Sequence, residues 1–487
     1  MPFFIYLLSV LMLVFEGSSA QSISPYLTEK NFQNNQNYSF EVDGIINSSL
    51  AKTNQKNIYE KNILPDNFSK NYIDSNTNIG LDNQVFAKGA IKLNNADYLG
   101  VTSKFEFNFN TNSKNENPNL DQVFLYLDNN LGRFEFGNYV AVNQKMKYGP
   151  ARFARGAGGI NGKYLEYVNL PILNQDSTLC NGNILSPDCT NIKHPRFITL
   201  AQSPIGHGGY AKGFYPRDVD NFYNLNSKIS DFNRTNFRAL RDDSYEGLED
   251  ALKFSYYTKK INQIQLGASY APISSNQGFT AKTARDANDI KLTNLLSFGI
   301  NYSNDFDNLN ISASSTGEYA KPQTKNGIAR NELFSYDFGT SLSYFGFTLG
   351  SSFGSWGKSL YAKNGNYSCE YDYSKNLQLQ NCDNSSNALK NSYYYTNGLA
   401  YQIGPINTSL TSINSSFQKN KYSAISFGVD YKIKKNLLTY FEITQYKFKS
   451  DQLNIFDLSS QIKVANLTQK IQNNNGKVFL TGIYYLF

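Results

Sequence analysis

An alternation of apolar and polar residues with a period of two constrains this chain more than any other feature of its sequence. In the segment SAISFGVDYKIK, Phe427 and Val429 fall on one face, whereas Gly428 and Asp430 fall on the other. The segments NQIQLGASY, VTSKFEFNF and YDFGTSLSY repeat the pattern. Because successive side chains of a strand point to opposite faces of a sheet, the alternation predicts amphipathic β-strands. At about nine to twelve residues, these strands are longer than the usual five or six.

The predicted strands number about sixteen, and the connections between them differ in length. The strands are expected at residues 38–51, 78–93, 99–112, 119–129, 132–139, 252–259, 262–271, 290–303, 308–320, 332–345, 346–358, 391–403, 406–417, 420–434, 437–450 and 476–487. Many connections are short, but long ones cover residues 52–77, 140–251, 359–390 and 451–475. Short connections at one end and mostly long ones at the other are typical of a transmembrane antiparallel β-barrel. The sequence therefore predicts an all-β barrel with long extracellular loops.

The two faces of these strands suit a wall between lipid and water. A backbone group without a partner costs several kcal/mol in hydrocarbon, so a sheet in a membrane must close on itself. A charge at the middle of the lipid face costs roughly 2–4 kcal/mol, and we therefore expect Lys104, Glu106, Asp430 and Lys432 to point into the lumen. A secreted β-sandwich or β-solenoid is the alternative. The apolar face, however, is rich in Phe and Tyr, of which the chain has 35 and 36, and these residues favour membrane interfaces.

The first twenty residues are predicted to be a secretory signal peptide. An apolar core ends at Phe15 and is followed by small residues, so cleavage is expected between Ala20 and Gln21. No Lys or Arg precedes the apolar core, and a retained anchor is the alternative. The mature chain would be one barrel domain, residues 21–487. Loss of one acid, Glu16, and of no base would raise its net charge from +7 to +8.

Four cysteines form two local pairs along the chain. Export would bring them into an oxidising compartment, where disulfide bonds form. Four cysteines allow three connectivities, and short loops close most easily, so the bridges Cys180–Cys189 and Cys369–Cys382 are favoured. Neither pair has CxxC spacing, and the chain has only two histidines. We therefore expect no zinc or thiol-redox site and no cofactor.

The ordered run of strand sequences resembles the trimeric porins of Gram-negative bacteria, in the form common in alphaproteobacteria. The resemblance is carried by FEVDGIINSSL, VFLYLDNNLGRFEFGN, LKFSYYTKKINQIQLGASYAP, YDFGTSLSYFGFTLGSSFGSWG, YYYTNGLAYQIGPINTSL, AISFGVDYKIKKNLLTYFEITQYKF and VFLTGIYYLF. It covers nearly every predicted strand, whereas the loops look unrelated. The resemblance implies a sixteen-strand barrel of the bacterial outer membrane, usually a homotrimer, through which small hydrophilic solutes diffuse passively.

The resemblance also implies a role for the last strand in assembly. In these porins the barrel-assembly machinery of the outer membrane recognises this strand, and the matching side chains are Phe479, Ile483, Tyr485 and Phe487. The opposite face of the strand is apolar too, with Val478, Leu480, Tyr484 and Leu486. A water-filled lumen does not need such a face. We therefore expect it to contact either a folded-in loop or the N-terminal segment.

The connection at residues 140–251 is the candidate constriction, because in these porins the loop after the fifth strand folds partly into the barrel. Five bases precede its first acid, which is Glu166; they are Lys145, Lys147, Arg152, Arg155 and Lys163. Positive groups without a counter-charge in a narrow passage would raise the local concentration of anions. The alternatives are a plainly solvated loop, or bases that bind lipopolysaccharide phosphates at the outer rim.

The wall that faces this loop is expected to carry charges of both signs. The candidates are Lys104, Glu106, Arg133, Glu135, Asp430 and Lys432. Because both signs occur on the same strands, the wall leaves the sign of ion selectivity open. The positive net charge favours a mild anion preference.

A transport channel is the leading functional prediction, and two other functional classes are the alternatives. One is a surface adhesin or antigen whose loops bind a host partner, with the pore restricted or plugged. The other is an outer-membrane enzyme, which would need a Ser/His/Asn or Asp/His arrangement. His194 and His207 have no recognisable catalytic setting, so no enzyme is predicted. Basic residues are spread over the chain without a basic helix, which argues against nucleic-acid binding.

Overall fold

The structure of the protein is a computed structural model that describes most of the predicted strands and part of the connections. The described residues are 37–55, 76–94, 97–110, 119–150, 153–154, 156–161, 164, 167–168, 251–273, 292–323, 331–359, 368–371, 379–383, 391–417, 420–434, 436–449 and 475–487. The predicted signal peptide with Ala20 and Gln21, and the pair Cys180 and Cys189, lie outside these ranges. Within them, no helix combines the length and the apolar character needed to cross a membrane.

The described residues form eighteen strands and very little helix. The strands are β1 Tyr38–Gln55, β2 Thr77–Lys92, β3 Tyr98–Asn110, β4 Asn119–Asn129, β5 Gly132–Asn138, β6 Leu252–Thr258, β7 Ile264–Ile273, β8 Leu292–Phe306, β9 Leu309–Pro322, β10 Leu333–Tyr344, β11 Phe347–Gly357, β12 Ser368–Tyr371, β13 Leu379–Asp383, β14 Ser392–Ile403, β15 Ile406–Phe417, β16 Asn420–Lys434, β17 Leu437–Lys449 and β18 Asn475–Leu486. A four-residue helix, α1, covers Val142–Lys145, and a 3-10 turn covers Gly159–Asn161.

Sixteen of these strands form one closed antiparallel barrel. Each strand pairs with its neighbours in chain order, β11 pairs with β14, and β18 pairs with β1 to close the cylinder. The remaining two strands, β12 and β13, form a separate two-stranded sheet. The predicted fold class and the predicted number of barrel strands are therefore confirmed.

The strand boundaries differ from the prediction in a few places. β1 continues to Gln55, and β7 begins at Ile264 because Asn262 and Gln263 have φ angles of +49° and +66°, which belong to a turn. The β12–β13 sheet was not predicted, because it falls inside the connection assigned to residues 359–390.

The side chains alternate between the outside and the inside of the barrel. On β16, Phe427 is 43% exposed on the outer face, whereas Asp430 is 4% exposed on the inner face. The outer faces of the described strands carry large apolar side chains, and many of the inner faces carry Ser, Thr, Asn and charged residues. This arrangement matches the pattern expected when one face meets lipid and the other meets the lumen.

Candidate functional site

The described part of the segment that follows β5 lies inside the barrel, and we name the described residues between 139 and 168 the inner belt. Its described side chains are almost all buried against the inner wall. Three hydrogen bonds attach its first part to successive strands: Val142 N–H to Ser269 Oγ on β7 (3.0 Å), Asn301 Nδ2 on β8 to Met146 O (3.5 Å), and Tyr148 N–H to Ser314 Oγ on β9 (2.8 Å). The described start of the long loop thus lies in the lumen.

Glycines in the wall let the belt backbone approach the strands closely. A Cβ atom at Gly339 on β10 would lie 1.9 Å from the carbonyl oxygen of Tyr148. A Cβ atom at Gly398 on β14 would lie 2.4 Å from Cβ of Pro150. Both distances are far below van der Waals contact, so a side chain at either position would push the belt away from the wall.

Two carboxylates of the wall hold the glycine-rich turn in the middle of the belt. The Gly156 N–H donates a hydrogen bond to Asp430 Oδ1 on β16 at 2.8 Å, and the Gly159 N–H donates to Glu442 Oε2 on β17 at 2.7 Å. Asn407 Nδ2 on β15 donates to the second oxygen of Asp430 at 3.0 Å. Hydrogen bonds from backbone amides to carboxylates are stronger than neutral ones. The GAGG sequence therefore binds two acidic side chains of the same protein.

The glycines in this turn are required by its geometry. A Cβ atom at Gly156 would lie 2.3 Å from two ring atoms of Tyr440 and 2.5 Å from its Cβ, so no side chain fits there. Gly159 has a φ angle of +59°, in the left-handed region that other residues rarely adopt.

The last part of the belt is held by apolar contacts with the wall on either side of the β1–β18 pair. The buried cluster contains Ala157, Ile160, Tyr164, Tyr167 and Val168 of the belt together with Ile45, Ala51, Phe86, Ile413, Tyr422, Ala424, Leu438, Tyr440, Tyr446, Phe448, Val478, Leu480, Tyr484 and Leu486. The apolar inner face of β18 thus contacts the folded-in loop, which was one of the two partners expected. The N-terminal segment, the other expected partner, lies outside the described residues.

Two of the five predicted loop bases are described, and each lies beside a wall carboxylate. Lys145 Nζ is 2.5 Å from Glu135 Oε2 on β5 and 3.8 Å from the centre of the Tyr139 ring. Lys147 Nζ is 2.8 Å from Asp337 Oδ2 on β10. Burial lowers the pKa of Lys145 to about 7, and the charge of Glu135 opposes that lowering. Both bases therefore have counter-charges on the wall, Glu135 on the strand that leads into the belt and Asp337 on β10, far along the chain.

The other predicted residues of the constriction lie outside the described part of the chain. They are Arg152, Arg155, Lys163 and Glu166. Their chain neighbours Phe153, Ala154, Gly156 and Tyr164 are described and are buried inside the barrel.

The predicted wall charges are found on the inner face, mostly in ion pairs. Lys104 Nζ lies 3.3 Å from Glu106 Oε1, and Arg133 pairs with Asp128. Lys432, near the end of β16, is half-buried, whereas Lys104 and Glu106 are 0% and 2% exposed. The structure tests where these residues lie, and their part in selectivity stays a prediction.

Several charged residues of the lumen were not singled out from the sequence. Lys88 pairs with Asp43 across β1 and β2, and Lys253 on β6 donates to the carbonyl oxygen of Tyr139. Glu442 and Asp337 hold the belt. All of these inner-face residues sit at positions where the alternation places the polar face, so a complete count of that face would have found them.

The four side chains predicted to form the assembly signal lie on the outer face of the barrel, along β18 and at its end. Ile483, Tyr485 and Phe487 are exposed on the outer face of the barrel, and Phe479, on the same face, is half-buried. The backbone of Phe487 exchanges two hydrogen bonds with Gly44 of β1, at 3.0 and 3.1 Å.

In the β12–β13 sheet, Cys369 is directly opposite Cys382 in the backbone register.

Comparisons with known proteins find one family and several relatives. A model of the Gram-negative porin family matches residues 205–451, just over half of the chain. An uncharacterized protein of Rickettsia bellii (strain RML369-C) is 26% identical over 371 residues, which cover 67% of this chain and 69% of the relative. An uncharacterized protein of Rickettsia typhi (strain Wilmington) is 24% identical over 433 residues, covering 78% and 82%.

Solved structures were also found among the similar proteins. An anion-selective porin from Comamonas acidovorans is 12% identical, with a TM-score of 0.47, over 92% of this chain and 100% of that one. A Salmonella typhi OmpF complex with daunomycin is 12% identical, with a TM-score of 0.46, over 93% and 99%. The family model, together with the closed sixteen-strand barrel described above, establishes that this chain belongs to the Gram-negative porins of the bacterial outer membrane.

Proposed function

We propose that this porin forms a narrow channel through which ions and small hydrophilic solutes diffuse passively. The observation that carries the proposal is the inner belt, which is attached to the wall from β7 round to β17 and β1. A barrel of sixteen strands is wide enough to leave an aqueous channel. A belt along the wall reduces that width while the polar inner face keeps the remaining space suitable for water.

The proposal includes a mild anion preference that depends on Arg152, Arg155 and Lys163. Lys145 and Lys147 are paired with wall carboxylates, so we do not assign the preference to them. Arg155 lies in the chain between Ala154 and Gly156, which are both buried inside the barrel. A positive group held in a narrow passage of low dielectric constant attracts anions more strongly than the same group in bulk water.

A planar-bilayer experiment tests both parts of the proposal. The refolded protein should conduct, and its zero-current potential across a KCl gradient should have the sign of an anion-preferring channel. Replacing both arginines, in R152Q/R155Q, should shift that potential towards cation preference. The matched control is K434Q/K259Q, which removes two positive charges from exposed positions near the short turns and should leave the potential unchanged. A cation-preferring parent protein would contradict the anion preference.

A surface adhesin or antigen with a restricted or plugged pore is the second candidate. It is favoured by the burial of the inner wall, where the side chain of Asp337 is 0% exposed. Liposome swelling with sugars of graded size separates the two candidates. Swelling with the smallest sugars supports the channel, and a barrel that is impermeable to sugars and ions supports the adhesin.

The remaining features that we propose follow from the sequence and from the porin resemblance. They are cleavage after Ala20, the bridges Cys180–Cys189 and Cys369–Cys382, a homotrimer, lipopolysaccharide contacts of the outer loops, and recognition of β18 by the barrel-assembly machinery. No catalytic activity is part of the proposal. N-terminal sequencing, the mass of the non-reduced protein and light scattering test the first three directly.

A further inference from the structure

The barrel is closed by one pair of strands from opposite ends of the chain, and we call this β1–β18 pair the seam. Its register runs from Ile45 opposite Leu486 to Gln55 opposite Gly476. The seam joins residues more than four hundred positions apart, so no short turn holds its strands together. Side chains that cross the seam on the inside of the barrel can therefore help to hold β1 and β18 together.

A tyrosine of β17 crosses β18 and reaches β1. The Tyr440 hydroxyl donates a hydrogen bond to Asn47 Oδ1 on β1 at 2.9 Å. The ring passes over Gly482 of β18, where a Cβ atom would lie 2.4 Å from the hydroxyl oxygen. The side chain can take this path only because residue 482 has no side chain of its own.

A second tyrosine of β17 crosses the seam in the same way. The Tyr446 hydroxyl donates to Gln55 Oε1 on β1 at 3.2 Å. It passes Gly476 of β18, where a Cβ atom would lie 2.7 Å from the hydroxyl oxygen. Two tyrosines on β17 and two glycines on β18 thus form a repeated crossing, one near the middle of the seam and one at its end.

The inner belt spans the seam as well. On one side, Asp430 and Glu442 of β16 and β17 hold its glycine-rich turn. On the other side, the Tyr167 hydroxyl shares a hydrogen bond of 3.0 Å with Ser49 Oγ on β1. The apolar cluster around the belt contains side chains from both strands of the seam, among them Ile45 and Leu480.

We propose that the inner belt, Tyr440 and Tyr446 form an internal brace that keeps the seam closed. Three tyrosine hydroxyls, those of residues 167, 440 and 446, reach from the belt or from β17 to β1, while the apolar cluster fills the space beneath them. The loop that narrows the lumen therefore has a second, structural role. This role does not depend on whether the lumen conducts.

A similar crossing away from the seam, at Tyr394, provides a matched control. On β14, the ring of Tyr394 passes over Gly354 of β11, where a Cβ atom would lie 2.5 Å from the hydroxyl oxygen. The Tyr394 hydroxyl then donates to Asp337 on β10. Removal of this hydroxyl deletes an equivalent crossing and one contact of Lys147 in the first part of the belt, without touching β1, β18 or the belt residues that contact the seam.

Hydrogen–deuterium exchange of the refolded barrel in detergent tests the brace. The variant Y167F/Y440F/Y446F keeps all three rings and loses the three hydroxyls that reach β1. Backbone amides of residues 45–54 and 477–485 should exchange at least tenfold faster than in the parent protein. Amides of β9 and β10 should keep their protection. The control Y394F should leave exchange at the seam unchanged.

A disulfide across the seam provides an independent check. Leu50 and Thr481 are directly opposite each other on the outer face, and the L50C/T481C bridge should restore slow exchange to the triple variant. If the triple variant fails to refold, this bridge and the three single Tyr→Phe variants keep the test available. Unchanged exchange at the seam, or an equal increase in all strands, would overturn the proposal. Neither result would bear on conduction, which the bilayer experiment measures separately.

Discussion

The belt can lie only where its backbone fits against the aromatic rings of the wall. Gly156 is the clearest example. Its missing side chain makes room for the ring of Tyr440, while its N–H bonds Asp430. One glycine thus permits both the packing and the hydrogen bond. The two carboxylates that hold this turn are buried, and each accepts a hydrogen bond from a backbone amide of the turn.

The substitution Gly156→Ala should destabilise the barrel by about 1–3 kcal/mol, the usual cost of an extra methyl group in a packed site. The belt must move because the Tyr440 ring lies across the seam and has little room to retreat. The effect is measured as a lower unfolding temperature, with gel electrophoresis monitoring the loss of the compact, folded barrel. Gly89→Ala is the control, because its Cβ atom would meet its nearest neighbour at an ordinary 3.8 Å. Equal stability of the two variants would contradict the expectation.

At the scale of elements, the strands could be predicted from the sequence and the belt could be predicted only in part. Alternation is a local property, so β16 was expected at residues 420–434 and is found there. The inward position of Lys104 followed from the same pattern. The counter-charges of Lys145 and Lys147 did not, because Glu135 meets Lys145 where the belt folds back on β5, and the closed barrel brings Asp337 of β10 to Lys147.

The apolar inner face of β18 shows what the alternation pattern can predict and what it cannot. The sequence indicated that Val478 and Leu480 needed a partner and left two candidates open. The structure supplies belt residues Ile160 and Tyr164, which share no local pattern with β18. A partner that comes from a long loop is selected by tertiary contacts. Such contacts leave no periodic pattern in a single sequence from which they could be predicted.

The belt should behave as a fixed lining and not as a moving gate, because its anchors are distributed along its length. A Cβ atom at Gly428 would lie 3.3 Å from Cβ of Ala154, close to the separation of about 3.5–4.5 Å in disulfides. The pair A154C/G428C should therefore form a bridge spontaneously. Single-channel conductance should be the same before and after reduction, with each single cysteine variant as the control for the reductant. A conductance that rises on reduction would show that the belt moves away from the wall.

At the scale of the whole molecule, our proposal is that the barrel sets the largest possible width of the channel and that the belt sets its actual width. Replacing residues 142–168 by a Gly-Ser linker of equal length removes the anchors and keeps the chain connected, because such linkers behave as flexible coils. The L50C/T481C bridge should be included, so that loss of the brace does not open the seam. This variant should conduct several-fold more than the bridged parent and admit larger sugars in liposome swelling, because a sixteen-strand barrel without an inner lining leaves a wide aqueous bore. Conductance equal to that of the bridged parent would mean that some other part of the chain limits the channel, and the constriction would then have to be sought outside the belt.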